Sequence, residues 1–305
     1  MDYPAKSPLL FPVTLKNSSI IVLDETILPF EEEYIEVRDL EKALWVLKEM
    51  KTRSLGQVLL FFYSCLLFAE GKDFNLIAEK FKKERPTFDF ITISEILKRI
   101  NNFTKDTRKS VEMFVAKFDA ARKQRAERLA EMLPDLSKIL TICNINGELI
   151  YLYFAMKSKG KEVSFYVSET RPYLQGSRLT FWELSREDIP CKLICDNQAG
   201  ILMKEKKITV IVTGADRASK RGGIINKTGT YALAVLAKHF NIPFYPLIQY
   251  PLDIDIESVE IEERPEEEIF MFLEKGKYLC PSFYPSFDAV TKEYITEPVE
   301  LEMSL

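Results

Sequence analysis

The chain is short of the residues from which metal and disulfide chemistry are built. Its 305 residues include a single histidine, His239, and five cysteines, Cys65, Cys143, Cys191, Cys195 and Cys280, with no Cys-x-x-Cys pair among them. A zinc site draws three or four ligands from such residues, so no metal is expected. An odd number of scattered thiols reads as reduced cysteine in a cytoplasmic protein. A basic excess is missing too: 42 Lys and Arg stand against 46 Asp and Glu, a formal net charge of −4. No global positive field draws in nucleic acid, so a phosphate ligand would have to be held by a few local cations. Met1 to Pro12 lacks the basic-then-apolar layout of a secretory leader. The longest apolar run, Val58 to Ala69, is broken by Tyr63, Ser64 and Cys65 and is too short to cross a bilayer. It reads as a buried helix, and no membrane partner is expected. Internal repeats and low-complexity stretches are also absent.

What is present is ordinary globular material, 47% hydrophobic and 29% charged, at a length that suits two domains. Short alternating runs over 8–38 (Ser19 to Leu23, Tyr34 to Val37), with Asp24-Glu25 between them, predict a small antiparallel unit. From Asp39, a plausible N-cap, the period becomes helical, and Leu40, Ala43, Leu44, Leu47 and Met50 share a face. Further helices are predicted at 54–70, 73–83, 88–100 and 105–133. The charged run Arg122 to Arg128 in the last of these reads most simply as a solvated face. After Pro134 apolar runs at 138–142, 163–167, 192–195, 208–212 and 244–247 alternate with helical stretches at 147–158, 177–185, 197–205 and 229–240. That alternation argues for a parallel sheet with helices on both faces. The fold class is therefore α/β. A small, mostly helical domain with short antiparallel strands spans 1–134, and a Rossmann-like parallel-sheet domain spans 135–305.

In such a sheet ligands bind beyond the carboxyl ends of the strands. Cys143, Glu169-Thr170-Arg171, Gln175, Asp196 and Asp216 fall there. The strand Ile208 to Val212 runs into the turn Gly214-Ala215-Asp216, and Asn226-Lys227-Thr228-Gly229-Thr230 then opens a helix whose free N–H groups suit phosphate. A carboxylate beside a phosphate cradle suggests acid–base chemistry on a phosphorylated small molecule. Taken singly, each residue has a plainer reading. A cysteine ending a strand serves as a small buried hydrophobe, and an Asp at a strand–helix turn serves as a cap. Arg171 could brace its loop by pairing with Glu169, Arg85-Pro86-Thr87 could be a helix break with Thr87 capping the next helix, and Arg53 could be a helix-dipole partner. His239 reads as a surface residue.

Together these pieces resemble a family. Asp24-Glu25-Thr26-Ile27-Leu28-Pro29, Glu49-Met50-Lys51-Thr52-Arg53, Arg85-Pro86-Thr87 and Thr141-Ile142-Cys143-Asn144 occur in the order seen in methylthioribose-1-phosphate isomerases. So do the stretch Glu169 to Thr180, Gly214-Ala215-Asp216-Arg217, Asn226 to Tyr231, Ile261-Glu262-Glu263-Arg264 and Pro285-Ser286-Phe287-Asp288. The Gly-Ala-Asp and Asn-Lys-x-Gly-Thr pieces are shared with a wider superfamily. It includes ribose-1,5-bisphosphate isomerase and the regulatory subunits of the factor that exchanges nucleotide on initiation factor two. The run from Gln175 to Leu184 and the Leu-Asp-x-Thr-x-Leu-Pro start point to the methylthioribose branch.

The resemblance implies an aldose–ketose isomerase of methionine salvage acting on 5-methylthioribose 1-phosphate or a related 5-deoxypentose 1-phosphate. It implies Cys143 and Asp216 as the catalytic pair, with Arg53, Ser54, Leu55, Arg85, Gln175, Asn226 and Lys227 around the sugar phosphate. It also implies a homodimer, and no cofactor. A protonated Asp216, kept neutral by an apolar site, would protonate the ring oxygen. Cys143 would then act as base toward an enediolate, or stabilise charge in a hydride shift. Two stretches depart from the family pattern. Its Arg-Gly-Ala-Pro-Ala loop is here Arg53-Ser54-Leu55-Gly56-Gln57, and a small, Gly- and Thr-rich segment is here the bulky 145–154. The alternative reading is a non-catalytic regulatory relative that senses a sugar phosphate or nucleotide. Ribose-1,5-bisphosphate isomerase is a third, for which no second cationic cluster is visible.

Overall fold

The computed structural model describes residues 6–86, 88–261, 263–273 and 281–303. Thr87, Glu262 and Cys280 lie outside the described residues. The chain divides into two compact units, one built on Pro8–Ala121 and the other on Arg122–Glu302.

The first unit begins with an antiparallel sheet in the order β1 (Val13–Lys16), β2 (Ser19–Leu23), β3 (Tyr34–Val37). Val13 pairs with Val22 and Ile20 with Val37, all four buried. Helices α1 (Leu40–Lys48), α2 (Leu55–Phe68), α3 (Phe74–Glu84), α4 (Phe90–Thr104) and α5 (Thr107–Met132) follow. Asp39, Asp73 and Asp89 begin α1, α3 and α4 by accepting the backbone N–H three residues on, at 2.7, 3.2 and 3.1 Å. The run that is too short for a membrane is α2, and Leu59, Leu60, Phe61 and Phe62 along it are at most 1% exposed. Phe61 and Phe62 meet Phe81, Phe90 and Phe114 with ring centroids 4.4–5.5 Å apart. Each such ring contributes roughly 1.5–3 kcal/mol through burial.

The charged stretch of α5 is not a solvated face. Arg122 and Arg125 are 1% and 0% exposed. Arg125 donates from Nε to Glu148 Oε2 at 2.9 Å, from Nη2 to Glu148 Oε1, and from Nη1 to the Ile248 carbonyl at 2.5 Å. Arg122 donates to the Asn146 carbonyl. Charged side chains are buried only with partners, and sequence periodicity could not show partners 23, 24 and 123 residues away. These bonds tie Arg122 onward to the second unit, so the compact division falls inside α5, earlier than the boundary near 135 read from composition.

The second unit holds six parallel strands in the order β12-β10-β7-β4-β5-β6. They are β4 (Ser137–Thr141), β5 (Val163–Ser168), β6 (Cys191–Ile194), β7 (Val210–Gly214), β10 (Phe244–Ile248) and β12 (Val299–Glu300). The intervening helical segments are α6 (Glu148–Ser158), a π-helical stretch Gly176–Phe181 running into α7 (Trp182–Arg186), α8 (Ala199–Lys204) and α9 (Thr230–Phe240). The bulky residues of 145–154 are largely absorbed here, since Leu149, Ile150, Tyr151 and Leu152 are buried in α6. A second, antiparallel sheet in the order β11-β9-β8 joins β8 (Arg217–Ala218), β9 (Ile224–Lys227) and β11 (Phe287–Val290). Sequence pattern does not reveal it, because its strands are only two to four residues long.

The strand order places the functional crevice. The chain enters the sheet at its middle with β4, builds outward through β5 and β6, then returns to the other side of β4 with β7. Helices leaving β4 and β7 therefore diverge, and a cleft opens beyond the carboxyl ends of these two strands.

Candidate functional site

Cys143 and Asp216 stand on the two lips of that cleft, just past β4 and just past β7. The two lips lie close together at their base: a Cβ added at Gly214 would meet Ile145 at 3.7 Å, an ordinary packing distance.

The Cys143 backbone is held in an unusual conformation, with φ at +65°. A side chain other than glycine or asparagine rarely occupies this left-handed region, and such strain persists only where neighbours enforce it. Here the enforcement is visible. Cys143 N donates to Thr170 Oγ1 at 2.9 Å, and Thr180 Oγ1 donates to the Cys143 carbonyl at 2.6 Å. Asn144 Nδ2 donates to Thr180 Oγ1 at 3.1 Å and to Glu183 Oε1 at 2.8 Å. The result is a half-buried thiol on a backbone fixed from both sides.

Those partners are set by the turn after β5. Asp196 accepts from Ser168 Oγ, from Thr170 N at 2.8 Å and from Arg171 N at 2.7 Å. Its carboxylate is thus a brace for the 168–171 turn. Arg171 does not close on Glu169: it donates to the Ile269 carbonyl at 2.6 Å and lies 5.2 Å from the Phe272 ring. Gly176 is required because a Cβ there would stand 1.7 Å from the Ser168 carbonyl oxygen. The wide π-turn that follows carries Thr180 and Glu183 back to Cys143 and Asn144, and such turns recur at functional sites. Gln175, at its start, is 3% exposed with Oε1 lacking a hydrogen-bond partner, a buried acceptor suited to a sugar hydroxyl.

Asp216 is anchored through its backbone N–H, which donates to the Ile225 carbonyl at 2.8 Å. Its side chain is exposed. The apolar enclosure expected to keep it protonated is therefore not supplied by this unit's own packing. Asn226 and Lys227 end β9 and are 4% and 8% exposed. Asn226 Nδ2 donates to Thr230 Oγ1 at 2.9 Å, and the Lys227 ammonium lies 4.8 Å from the Phe287 ring. The start of α9 also differs from expectation. The sequence predicts a phosphate cradle in its N–H groups, but Asp288 Oδ2 already accepts from Gly229 N at 2.7 Å and Tyr231 N at 3.0 Å. Asp288 comes from β11, a strand sequence pattern did not reveal, so the capping was not foreseeable from residues 226–231.

Arg53, Ser54, Leu55 and Arg85 belong to the first unit. Arg53 and Ser54 form the turn from α1 into α2, and Arg85 ends α3 with its N–H on the Phe81 carbonyl at 3.0 Å. Ser54 has φ +37° and ψ −104°, so it takes up the glycine-like backbone its side chain would oppose. Leu55 turns into the core at 7% exposed, and Gly56 sits so close to Thr52 that a Cβ would stand 1.7 Å from its hydroxyl. Sequence reasoning gave no role to Glu25, although it lies at this turn. Glu25 is fully buried, and Oε1 accepts from Thr52 Oγ1 at 2.6 Å and Arg53 N at 3.1 Å. Burial pushes its carboxyl up to about 7, against the pull of the Thr52 hydroxyl and the Arg53 charge.

Among the described residues, no three His, Cys, Asp or Glu side chains gather as a metal ligand set, and no helix is long and apolar enough to cross a membrane. The second unit offers a fixed thiol past β4, a carboxylate past β7 and a buried amide, while the first unit by itself carries Arg53 just before α2 and Arg85 at the end of α3. Those are components for proton transfer on a small anionic sugar.

Comparison with known proteins bears on this chemistry. The model of the initiation factor 2 subunit family matches residues 78–299. A methylthioribose-1-phosphate isomerase of Caldicellulosiruptor saccharolyticus is 35% identical, covering 92% of this chain and 92% of its own. One of Exiguobacterium sibiricum is 32% identical, with 93% and 90% covered. Among solved structures, the 5-methylthioribose 1-phosphate isomerase of Pyrococcus horikoshii superposes with a TM-score of 0.81 at 26% identity, covering 98% and 94% of the two chains. The translation initiation factor eIF-2B subunit delta of A. fulgidus superposes with a TM-score of 0.77 at 28% identity, covering 94% and 93%.

Proposed function

We propose a function from the premise that the chain belongs to the initiation factor 2 subunit family: it is an aldose–ketose isomerase. It converts 5-methylthioribose 1-phosphate to the corresponding ribulose 1-phosphate, a step of methionine salvage. The observation that carries the reading is the likeness, end to end, to relatives named for this reaction, in a chain that has Cys143 just past β4 and Asp216 just past the neighbouring strand β7. The regulatory reading has less behind it. The eIF-2B subunit shares the fold at 28% identity, whereas the isomerases of Caldicellulosiruptor saccharolyticus and Exiguobacterium sibiricum reach 35% and 32% over a similar span.

The substrate's C1 hydroxyl carries the phosphate, so its ring cannot open as a free hemiacetal does. In this reading Asp216 protonates the ring oxygen. Because the carboxylate is exposed in the free chain, the bound sugar supplies the enclosure that favours its acid form. Cys143 then handles the C2 hydrogen or the charge that develops there, while Gln175 and Asn226 hold hydroxyls. In the second unit Lys227 is a phosphate contact; in the first unit Arg53 and Arg85 are oxyanion contacts, with Ser54 and Leu55 in the loop beside Arg53. The protein acts as a homodimer in the cytoplasm. The test is to incubate it with 5-methylthioribose 1-phosphate and follow ketose formation. Turnover is expected, with kcat lowered about 10²–10⁴-fold in Cys143→Ser and in Asp216→Asn. No turnover by the unaltered protein sinks the isomerase reading, and light scattering checks the dimer.

A further inference from the structure

One buried acid has no part in that chemistry. Glu25 and the segment 51–53 clasp each other: Glu25 N donates to the Lys51 carbonyl at 2.8 Å, while Oε1 accepts from Thr52 Oγ1 and Arg53 N. Its other oxygen, Oε2, is buried without a hydrogen-bond partner. Two charges act on it: Arg53 attracts, and Asp24, itself bonded to Lys51 Nζ at 2.8 Å, repels. A buried carboxylate with an unsatisfied oxygen is poorly stabilised, whereas the acid form keeps Oε1 as acceptor and places its proton on Oε2.

We propose that Glu25 is a positioning residue for Arg53, and that an oxyanion bound at Arg53 draws a proton onto Glu25. The proposal rests on the reading of Arg53 as a phosphate contact. Without an anion, the guanidinium favours the ionised carboxylate. A bound oxyanion cancels that attraction and adds a negative charge nearby, and both effects favour the acid. Linkage makes the effect reciprocal: protonated Glu25 binds the anion more tightly. Because burial already sets the carboxyl near neutrality, the uptake falls in the working pH range. Each pK unit of coupling corresponds to about a tenfold fall in anion affinity as pH rises through that range.

Sulfate is the probe, because it does not titrate near neutrality and any proton taken up must come to the protein. Calorimetric titration of the full chain at pH 7.5, repeated in buffers of different ionisation enthalpy, should show uptake of a fraction of a proton. Glu25→Gln, which keeps an acceptor for Thr52 and Arg53, should show less uptake and a sulfate affinity that falls less from pH 6.5 to 8.5. The Michaelis constant for 5-methylthioribose 1-phosphate should follow the same pattern, with kcat little changed. Absence of uptake in the wild type, or equal uptake and pH slope in both proteins, overturns the linkage while Arg53→Met still abolishes sulfate binding. Sulfate bound undiminished by Arg53→Met instead overturns the phosphate reading beneath it.

Discussion

Glu148→Gln should be among the most damaging single changes in the second unit. Its carboxylate takes two hydrogen bonds from Arg125, and the side chains are 5% and 0% exposed. The amide can accept one of those bonds but carries no charge. Arg125 would then keep only the Ile248 carbonyl and the remnant of the pair. Removing one partner from a buried ion pair costs about 3–5 kcal/mol, because the remaining charge stays out of water. Against a typical total stability of about 5–15 kcal/mol, that is a large fraction. Urea unfolding read through Trp182 fluorescence, with Trp45 replaced by Phe, isolates this unit, since the sequence has only these two tryptophans. Because the buried Arg122 also faces Glu148, 3.8 Å from Oε1, the triple variant Arg122→Met/Arg125→Met/Glu148→Leu, which strands neither arginine, should lie closer to the unaltered protein than Glu148→Gln does. A loss under about 1 kcal/mol for Glu148→Gln would refute the reasoning, since the arginine would then have found solvent.

Three further outcomes are expected. Glu25 has its folded carboxyl near 7, above its ordinary value of 4.5, so its contribution to stability is full below pH 4.5 and is lost as pH rises through 7. The difference is about 3 kcal/mol, and thermal melts across that range should show the wild-type curve falling relative to Glu25→Gln. Ser54→Gly should raise stability by roughly 1 kcal/mol, since φ +37° suits glycine, and a lower melting temperature would contradict the strain argument. Asp288→Ala removes the acceptor for Gly229 N and Tyr231 N and should cost about 0.5–2 kcal/mol in urea unfolding. If that helix start nonetheless holds the phosphate, the same variant would instead tighten sulfate binding.

The sheet was legible because its strands are continuous apolar runs bounded by helices of regular length, and every strand read after Pro134 lies within two residues of its observed start. The position of Cys143 and Asp216 was legible for the same reason, since a residue just past a strand is placed by the strand; their proposed roles are not read from that placement. What escaped the sequence were relationships between distant segments. Arg125 reads as surface charge until Glu148 and Ile248 are brought to it. The α9 start reads as an open anion site until β11 delivers Asp288. Glu25 reads as a turn residue until its burial is known. Ser54 shows a different limit: a serine in place of the family's glycine disfavours a glycine-like turn, yet the backbone beside the clasp between Glu25 and 51–53 adopts one.

Under the proposed function, the twisted backbone at Cys143 sets chemistry against durability. Glycine or asparagine would hold φ +65° at lower energy, while Thr170 and Thr180 would still find the same backbone N–H and carbonyl to bond. Exchange of the cysteine for either residue should therefore give a sturdier protein that has lost its thiol. A lineage relieved of the need for turnover would drift toward that state without passing through a damaged fold. The presence of cysteine at this strained position is what such relaxed selection would erase first.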